Sequence, residues 1–237
     1  QIYYKHRKEN ILNSDVIVYS SAVTINDNPE TIEGIKRKIP IIKRAELLGE
    51  LIKIKEISVA VSGTHGKTST SSMLGNILYD YNLNPTLIIG GIVNKFKSNN
   101  ISGSGNIIVV EADEFDKSFL SLSPTFSIIN NLDLEHLDIY KNLASLQKTF
   151  CEFANAVPFY GKVFLNNDCK ELTKIKSKIN RPKTTFGIYN KSSLQGTDIQ
   201  YSNDQTSFSI ISNSLNKISI NLKCPGEHNI YNALAAA

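Results

Sequence analysis

The sequence predicts an α/β protein in which a mostly parallel β-sheet carries helices on both faces and an antiparallel meander at its edge. Two observations support this fold class. Apolar segments alternate with helical patterns along residues 57–165, and near-continuous apolar strands separated by helices are typical of parallel sheets buried on both faces. Residues 184–223 change to short alternating segments between Asn and Ser clusters, which is typical of an antiparallel meander.

The amino-terminal part of the chain has its own pattern. Two β-branched runs, residues 15–19 and 39–42, flank a polar segment that we expect to be helical, so a β-α-β piece is predicted here. A helix with one apolar face follows over residues 45–54, and charged residues at its end mark a junction. We therefore place one domain at residues 1–55 and a second at residues 56–237.

Five apolar strands and one amphipathic helix are predicted in the second domain. The helix covers residues 145–157, where four apolar side chains recur at helical spacing. The polar stretches 98–106 and 190–205 are expected to be surface loops. The strands are predicted at residues 57–61, 86–89, 107–110, 126–129 and 163–165.

Composition narrows the class of function. A chain of 237 residues that is 41% apolar can bury a substantial core. Its 26 basic and 22 acidic residues are dispersed without a single-sign block, which favours an anionic small molecule over nucleic acid. No apolar run approaches the roughly 18 residues needed to cross a bilayer. The cysteines are widely spaced and form no C-x-x-C pair, which favours a reducing cytoplasm: Cys151, Cys169 and Cys224.

A phosphate-binding loop is predicted between the strand at 57–61 and a following helix. Glycines there let main-chain N–H groups point at phosphate oxygens, while Lys67 can reach the β and γ phosphates and Thr68 can bind Mg²⁺. The general pattern has its first glycine where this chain has Val61, so a glycine turn before an ordinary helix is the alternative. The flanking strand and helix favour an ATP site formed by Gly63, Thr64, His65, Gly66, Lys67, Thr68 and Ser69.

Two further clusters follow predicted strands at the same edge of the sheet. Glu111 and Glu114 lie in the run Glu-Ala-Asp-Glu, where a carboxylate can hold the Mg²⁺ that bridges the phosphates. His136 follows the strand at 126–129 and is a candidate for a second metal ion or for substrate. Each cluster alone has a simpler explanation, namely a solvated acidic loop and a surface histidine.

The last helix carries a third candidate group. Residues 226–233 read Gly-Glu-His-Asn-Ile-Tyr-Asn-Ala, and Asn229 and Asn232 share a helical face from which amides can read an adenine edge. Helix capping is the competing explanation for Asn229.

In their order and spacing these motifs resemble those of the Mur ligases. The resemblance implies a Rossmann-like domain for a UDP-sugar, whose end is residues 1–55, and a P-loop-type central ATP-binding domain, most of which is residues 56–237. It also implies a carboxy-terminal domain, needed for closure over the site, beyond this sequence. The motifs are residues 63–68, 111–114, 131–138 and 226–233.

The resemblance also implies an activity and roles for the candidate residues. The activity is an ATP- and Mg²⁺-dependent ligation of L-alanine to UDP-N-acetylmuramate through an acyl phosphate, in cytoplasmic peptidoglycan biosynthesis. Lys67, Glu111 and His136 would be catalytic, with Thr68 and Glu111 on one Mg²⁺ and His136 helping to place a second. The remaining roles are nucleotide binding by His228, Asn229 and Asn232, and sugar-substrate binding by His65, Glu114 and Ser118.

Three other functions remain open at this point. A sister ligase would attach a recycled murein peptide to the same sugar nucleotide. A P-loop kinase or ATPase would release phosphate without requiring an amine. A nucleotide-binding module would do no chemistry, and we expect the present chain by itself to ligate nothing.

Overall fold

The computed structural model describes residues 1–133, 140, 142–212 and 216–237. The chain divides into two compact units, residues 1–51 and residues 52–237.

The first unit contains the predicted β-α-β piece. Strand β1 (Ile17–Tyr19) pairs in parallel with β2 (Ile41–Lys43), and helix α1 (Pro29–Arg37) connects them. Helix α1 begins here because the Asn28 side chain accepts a hydrogen bond from the Glu30 N–H at 2.9 Å and proline occupies the first helical position. Helix α2 (Arg44–Leu51) closes the unit.

The second unit is built on a ten-stranded sheet. Its strands are β3 (Ile57–Ser62), β4 (Thr86–Val93), β5 (Ser98–Ile101), β6 (Ile107–Glu111), β7 (Phe126–Ile129), β8 (Lys162–Asn166), β9 (Lys183–Gly187), β10 (Leu194–Tyr201), β11 (Thr206–Ser212) and β12 (Ile218–Leu222). Their spatial order is β12-β11-β10-β9-β8-β7-β3-β6-β4-β5. The seven strands β3, β4 and β6 to β10 are joined by parallel pairings, whereas β5, β11 and β12 pair antiparallel.

Four α-helices belong to this unit: α3 (Lys67–Asp80), α4 (Leu143–Asn155), α5 (Lys170–Ile175) and α6 (Glu227–Ala236). Short 3-10 helices occupy Ile52–Ile54, Phe115–Ser121 and Lys176–Lys178. Apolar side chains of β3, β6 and β7 pack with those of α3 and α6 in one buried cluster that includes Val61, Val109, Leu74, Ile230 and Leu234. The α/β fold class and the mostly parallel sheet are thus confirmed.

Strand register determines which segments meet at the carboxyl edge of the sheet. Val61 lies opposite Glu111 on β6 and opposite Ile128 on β7. The loop after β3, the acidic segment after β6 and the residues after β7 therefore leave the sheet at the same level.

Two predictions for the polar stretches were wrong. The stretch at 98–106 contains β5, and the stretch at 190–205 contains β10. β5 lies at the end of the sheet, where a strand needs few apolar residues because it pairs on one side only. β10 is irregular, since its pairing with β11 shifts register between Thr197 and Gln200. The meander at β10–β12 is antiparallel as predicted, but β9, at the start of that region, is parallel to both neighbours.

Among the described residues, no helix combines the length and the apolar character required to span a bilayer.

Candidate functional site

Two glycines shape the loop between β3 and α3. Gly63 has φ 132° and Gly66 has φ 80°, both in the region that L side chains rarely adopt. A Cβ at Gly63 would lie 3.0 Å from the Asn131 main-chain nitrogen, and a Cβ at Gly66 would lie 2.3 Å from Asn232 Oδ1. The loop therefore requires glycine at both positions for conformation and for space.

The amino terminus of α3 is the natural anion site of this loop. Gly66 precedes the helix and makes no side-chain cap, and the helix begins at Lys67. The Thr70 N–H donates to Gly66 O at 2.9 Å. The preceding N–H groups, at the positive end of the helix dipole, have no carbonyl partner within a helix and are suited to phosphate oxygens.

Lys67 is held over the loop by three acceptors. Its Nζ donates to Gly63 O at 2.8 Å, to Glu114 Oε2 at 2.8 Å and, more weakly, to Thr64 O at 3.5 Å. The Glu114 side chain is only 2% exposed, and its main-chain oxygen accepts a 2.6 Å bond from the buried Tyr140 hydroxyl. The ammonium group is thus fixed in place at the mouth of the loop.

Glu111 is oriented by the main chain of the neighbouring strand. Its Oε2 accepts a 2.8 Å bond from the Gly90 N–H, and a Cβ at Gly90 would lie 2.4 Å from that oxygen. Its Oε1 is buried and has no hydrogen-bond partner among the described residues. The next residue, Gly91, is equally close to Thr68, whose Cγ2 would lie 2.7 Å from a Cβ there. The glycine pair therefore brings Thr68 and Glu111 to the same part of the site.

A buried polar trio lies beneath the loop. Thr70 Oγ1 accepts from Asn130 Nδ2 at 2.9 Å and donates to Asn232 Oδ1 at 3.3 Å. All three side chains are buried, at 0%, 3% and 5% exposure for Thr70, Asn130 and Asn232. The trio links the first turn of α3, the end of β7 and helix α6.

The other predicted residues of α6 lie near its first turn. Asn229 Nδ2 donates to Pro225 O at 2.8 Å, so this side chain closes the turn before the helix. His228 is exposed and lies close to Gly226. Asn232 alone of the three reaches the phosphate loop.

Asp168 fastens α6 to the sheet. The Asp168 carboxylate accepts from the N–H groups of Ile188, Tyr189 and Asn190 at 2.5, 3.0 and 2.7 Å, and from the Tyr231 hydroxyl at 3.0 Å. Burial alone would raise the pKa of Asp168, but these four donors hold it below its ordinary value. Burial, and then the bond to Asp168, raise the pKa of Tyr231 well above its ordinary value.

The residues predicted to bind the sugar substrate lie at the same edge. His65 is exposed, and its Nε2 lies 4.0 Å from Asp133 Oδ2. Ser118 Oγ donates to Asp113 O at 3.0 Å within the turn that follows β6. Glu114 faces Lys67, as described above.

His136 lies outside the described residues. Within the described part of the chain, no group of three or more His, Cys, Asp and Glu side chains is arranged to hold a metal ion. The two protein oxygens brought together for a cation are therefore those of Thr68 and Glu111.

The sequence analysis missed three groups of residues at the site. Asn130 and Asn131 directly follow a buried strand at the ligand-binding edge, and this position was the available signal. Gly90 and Gly91 form a glycine pair within a strand, which often marks a close approach of another group. Thr70 and Asp168 carried no signal, because their partners are defined only by the fold.

Comparison with known proteins gives the same result for both units. The Mur ligase middle domain matches residues 61–237, and the Mur ligase family, catalytic domain, matches residues 1–56. The chain is 44% identical over 235 residues to the UDP-N-acetylmuramate--L-alanine ligase of Pelodictyon phaeoclathratiforme, covering 99% of the chain and 49% of that protein. The chain thus spans about half the length of the curated relatives it matches.

Two solved structures have the same fold. The UDP-N-acetylmuramate-alanine ligase of Thermotoga maritima matches with a TM-score of 0.81 and 27% identity, over 98% of this chain and 52% of that one. The UDP-N-acetylmuramate:L-alanyl-gamma-D-glutamyl-meso-diaminopimelate ligase of Neisseria meningitides matches with a TM-score of 0.82 and 25% identity, over 99% of this chain and 76% of that one. With the identity of its relatives and the match of both domains, the chain belongs to the Mur ligase family.

Proposed function

We propose that this chain is part of an ATP-dependent ligase that joins L-alanine to UDP-N-acetylmuramate in peptidoglycan biosynthesis. The observation that carries the proposal is the Lys67 ammonium, fixed between Gly63 O and Glu114 over a glycine loop at the amino terminus of α3. The 44% identity to a relative of that name over 99% of the chain supports the choice of substrates. The three free thiols fit a cytoplasmic setting.

The residues present fit ATP and Mg²⁺. A Cβ would fill the space at Gly66, and the α3 terminus offers N–H donors to an anion. The buried Oε1 of Glu111 lacks a partner, as expected of a ligand atom for a hard cation. We assign Thr68 and Glu111 to Mg²⁺, and Ser69 to the triphosphate with the rest of the loop. Bound Mg²⁺ would supply charge neutralisation at the phosphates.

The chain's own residues contribute orientation and charge to the reaction. In the proposed reaction, the carboxylate of the sugar nucleotide attacks the γ phosphorus and ADP leaves, giving an acyl phosphate. The amine of L-alanine then attacks the acyl carbon, phosphate leaves and the amine loses a proton. Lys67 offsets the negative charge where the carboxylate and the triphosphate meet, and the loop holds the phosphates in line.

The other site residues have proposed roles at the edges of this centre. His228, Asn229 and Asn232 are assigned to the nucleotide, and His65, Glu114 and Ser118 to the side of the sugar substrate. His136 is assigned to a second metal ion on the resemblance alone. For Glu114, the 2.8 Å bond to Lys67 adds a second role, since it fixes the position of the ammonium group.

A second candidate acceptor is a murein peptide. It is favoured by the TM-score of 0.82 to the Neisseria meningitides ligase, whose name specifies the tripeptide L-alanyl-gamma-D-glutamyl-meso-diaminopimelate. The higher identity to L-alanine ligases favours L-alanine over the tripeptide.

The test is an acceptor assay with the full-length protein. ATP, Mg²⁺ and UDP-N-acetylmuramate are supplied with either L-alanine or the tripeptide, and amide product and phosphate are measured. We expect amide formation with L-alanine and at least tenfold less with the tripeptide. Preference for the tripeptide would support the sister ligase, and phosphate release that needs neither sugar nor amine would support a plain ATPase.

A further inference from the structure

The main chain of the phosphate loop is bound by a side chain from the neighbouring strand. Asn131 Oδ1 accepts from the His65 N–H at 2.7 Å, and Asn131 Nδ2 donates to His65 O at 3.1 Å. One carboxamide therefore satisfies both polar groups of a single loop residue.

Contacts on either side bind the same part of the loop to the same segment. The Thr64 N–H donates to Asn131 O at 3.4 Å, and the Asp133 N–H donates to Thr64 Oγ1 at 2.9 Å. Gly63 backs directly onto Asn131, since a Cβ there would lie 3.0 Å from the Asn131 nitrogen. Residues 63–65 are thus attached to residues 130–133.

This arrangement divides the loop into two functional parts. The His65 N–H is occupied by Asn131 and is unavailable to a phosphate oxygen while that bond persists. The phosphate-facing donors therefore begin at Gly66 and continue into the first turn of α3. The anchored part, residues 63–65, also supplies the carbonyl oxygens of Gly63 and Thr64 that hold Lys67.

We propose that Asn131 is a positioning residue that holds the phosphate loop in its binding conformation before nucleotide arrives. The inference rests on the proposed function, because it takes ATP as the ligand of the loop. An N–H and a C=O held by one planar amide cannot rotate independently, so the His65 peptide and the adjoining carbonyl oxygens stay fixed. Binding then need not order the loop, and preorganisation of this kind increases affinity.

The experiment compares variants of the full-length protein. Asn131→Ala removes both bonds, and Asn131→Asp keeps an acceptor for the His65 N–H but places an oxygen against His65 O. Asn155→Ala is the matched control, because Asn155 makes the same bracket elsewhere, accepting from the Asn180 N–H at 2.7 Å and donating to Lys178 O at 3.1 Å. The Asn155 bracket joins the end of α4 to the segment before β9, at the opposite edge of the sheet.

Three measurements separate positioning from a general loss of stability. We expect the Kd for Mg²⁺-ATP to rise about tenfold in Asn131→Ala, with an intermediate rise in Asn131→Asp and a change within about twofold in Asn155→Ala. The KM for ATP should rise in parallel while kcat changes less than about threefold. In the nucleotide-free protein, the His65 amide should exchange with solvent faster in Asn131→Ala than in wild type, as measured by NMR.

The outcomes distinguish the two proposals. If wild type binds Mg²⁺-ATP and Asn131→Ala binds it equally well, with unchanged exchange of the His65 amide, this inference is wrong and the proposed function stands. If both Asn131 and Asn155 variants lose the same affinity, Asn131 acts through overall stability and the inference also fails. If wild type itself binds no ATP, the proposed function fails and the inference with it.

Discussion

Individual side chains at this site are positioned mainly by main-chain groups. The Gly90 N–H orients Glu111, the Gly63 carbonyl holds Lys67, and the His65 peptide is held by Asn131. Such bonds fix a side chain without depending on the rotamer of a partner. They also make glycines essential, because a Cβ would occupy the space used by the contact.

Gly90→Ala tests the orientation of Glu111. The new Cβ would lie 2.4 Å from Glu111 Oε2, so the carboxylate must move away from its main-chain donor. In the full-length enzyme we expect the Mg²⁺ concentration for half-maximal ligation to rise about tenfold, equivalent to about 1.4 kcal/mol. The double variant Gly90→Ala, Glu111→Asp should recover part of this loss, because the shorter acid avoids the methyl group. An unchanged Mg²⁺ requirement in Gly90→Ala would show that this orientation is irrelevant.

Residue roles were predictable from sequence only where the chemistry of the side chain is itself the signal. Lys67 and Glu111 followed from the glycine loop and from a carboxylate at the end of a strand. Asn131 could not be identified in this way, because its partner is a peptide group that any residue would provide. The Lys67–Glu114 pair likewise depends on strand register, which aligns Val61 with Glu111.

At the scale of elements, α6 is positioned from both of its sides. Asn232 reaches α3 and the phosphate loop, while the neighbouring Tyr231 donates to Asp168. Adjacent residues on a helix point in directions about 100° apart, so the two contacts hold different faces. Any shift of α6 would therefore disturb the trio beneath the loop.

Asp168→Asn tests this attachment through pH. Because the pKa of Asp168 is lowered in the folded state, its contribution to stability is full above the unfolded pKa of about 3.9 and is lost as pH falls through the lower folded value. We expect Asp168→Asn to reduce the free energy of unfolding at pH 7 by about 1.5–3 kcal/mol. The acid-induced loss of stability below about pH 4 should also become less steep.

Urea denaturation at a series of pH values measures both effects. Asp80→Asn is the control, because Asp80 is an exposed partner of Lys95 with 65% of its side chain accessible. Exposed ion pairs contribute about 0–1 kcal/mol, so this control should change stability little. Equal effects of the two substitutions would contradict the role given to Asp168.

The elements themselves were predicted unevenly. β3, β6, β7 and β8 were found from sequence because buried parallel strands are apolar along their whole length. β5 and β10 were missed because neither has a continuous apolar run, and β10 contains Asp198 at φ 53°. Strand pairing, rather than local composition, defines those two strands.

At the scale of the whole molecule, the chain combines two compact units of the Mur ligase family. The contacts described for the phosphate loop, Glu111, Asn131 and α6 all lie within residues 52–237. Nucleotide binding is therefore a property that this unit can explain from its own residues. Ligation is proposed for the full-length protein, about half of which corresponds to this chain by comparison with its relatives.

The account depends most on Lys67 binding a triphosphate, and calorimetric titration of Mg²⁺-ATP into the full-length protein tests this directly. A charge-assisted hydrogen bond contributes about 1.5–3 kcal/mol, so Lys67→Ala should raise the Kd at least about tenfold. Lys148→Ala, which removes a lysine that is 80% exposed, should bind as wild type does. Wild-type affinity in Lys67→Ala, with the fold intact by circular dichroism, would contradict the central claim.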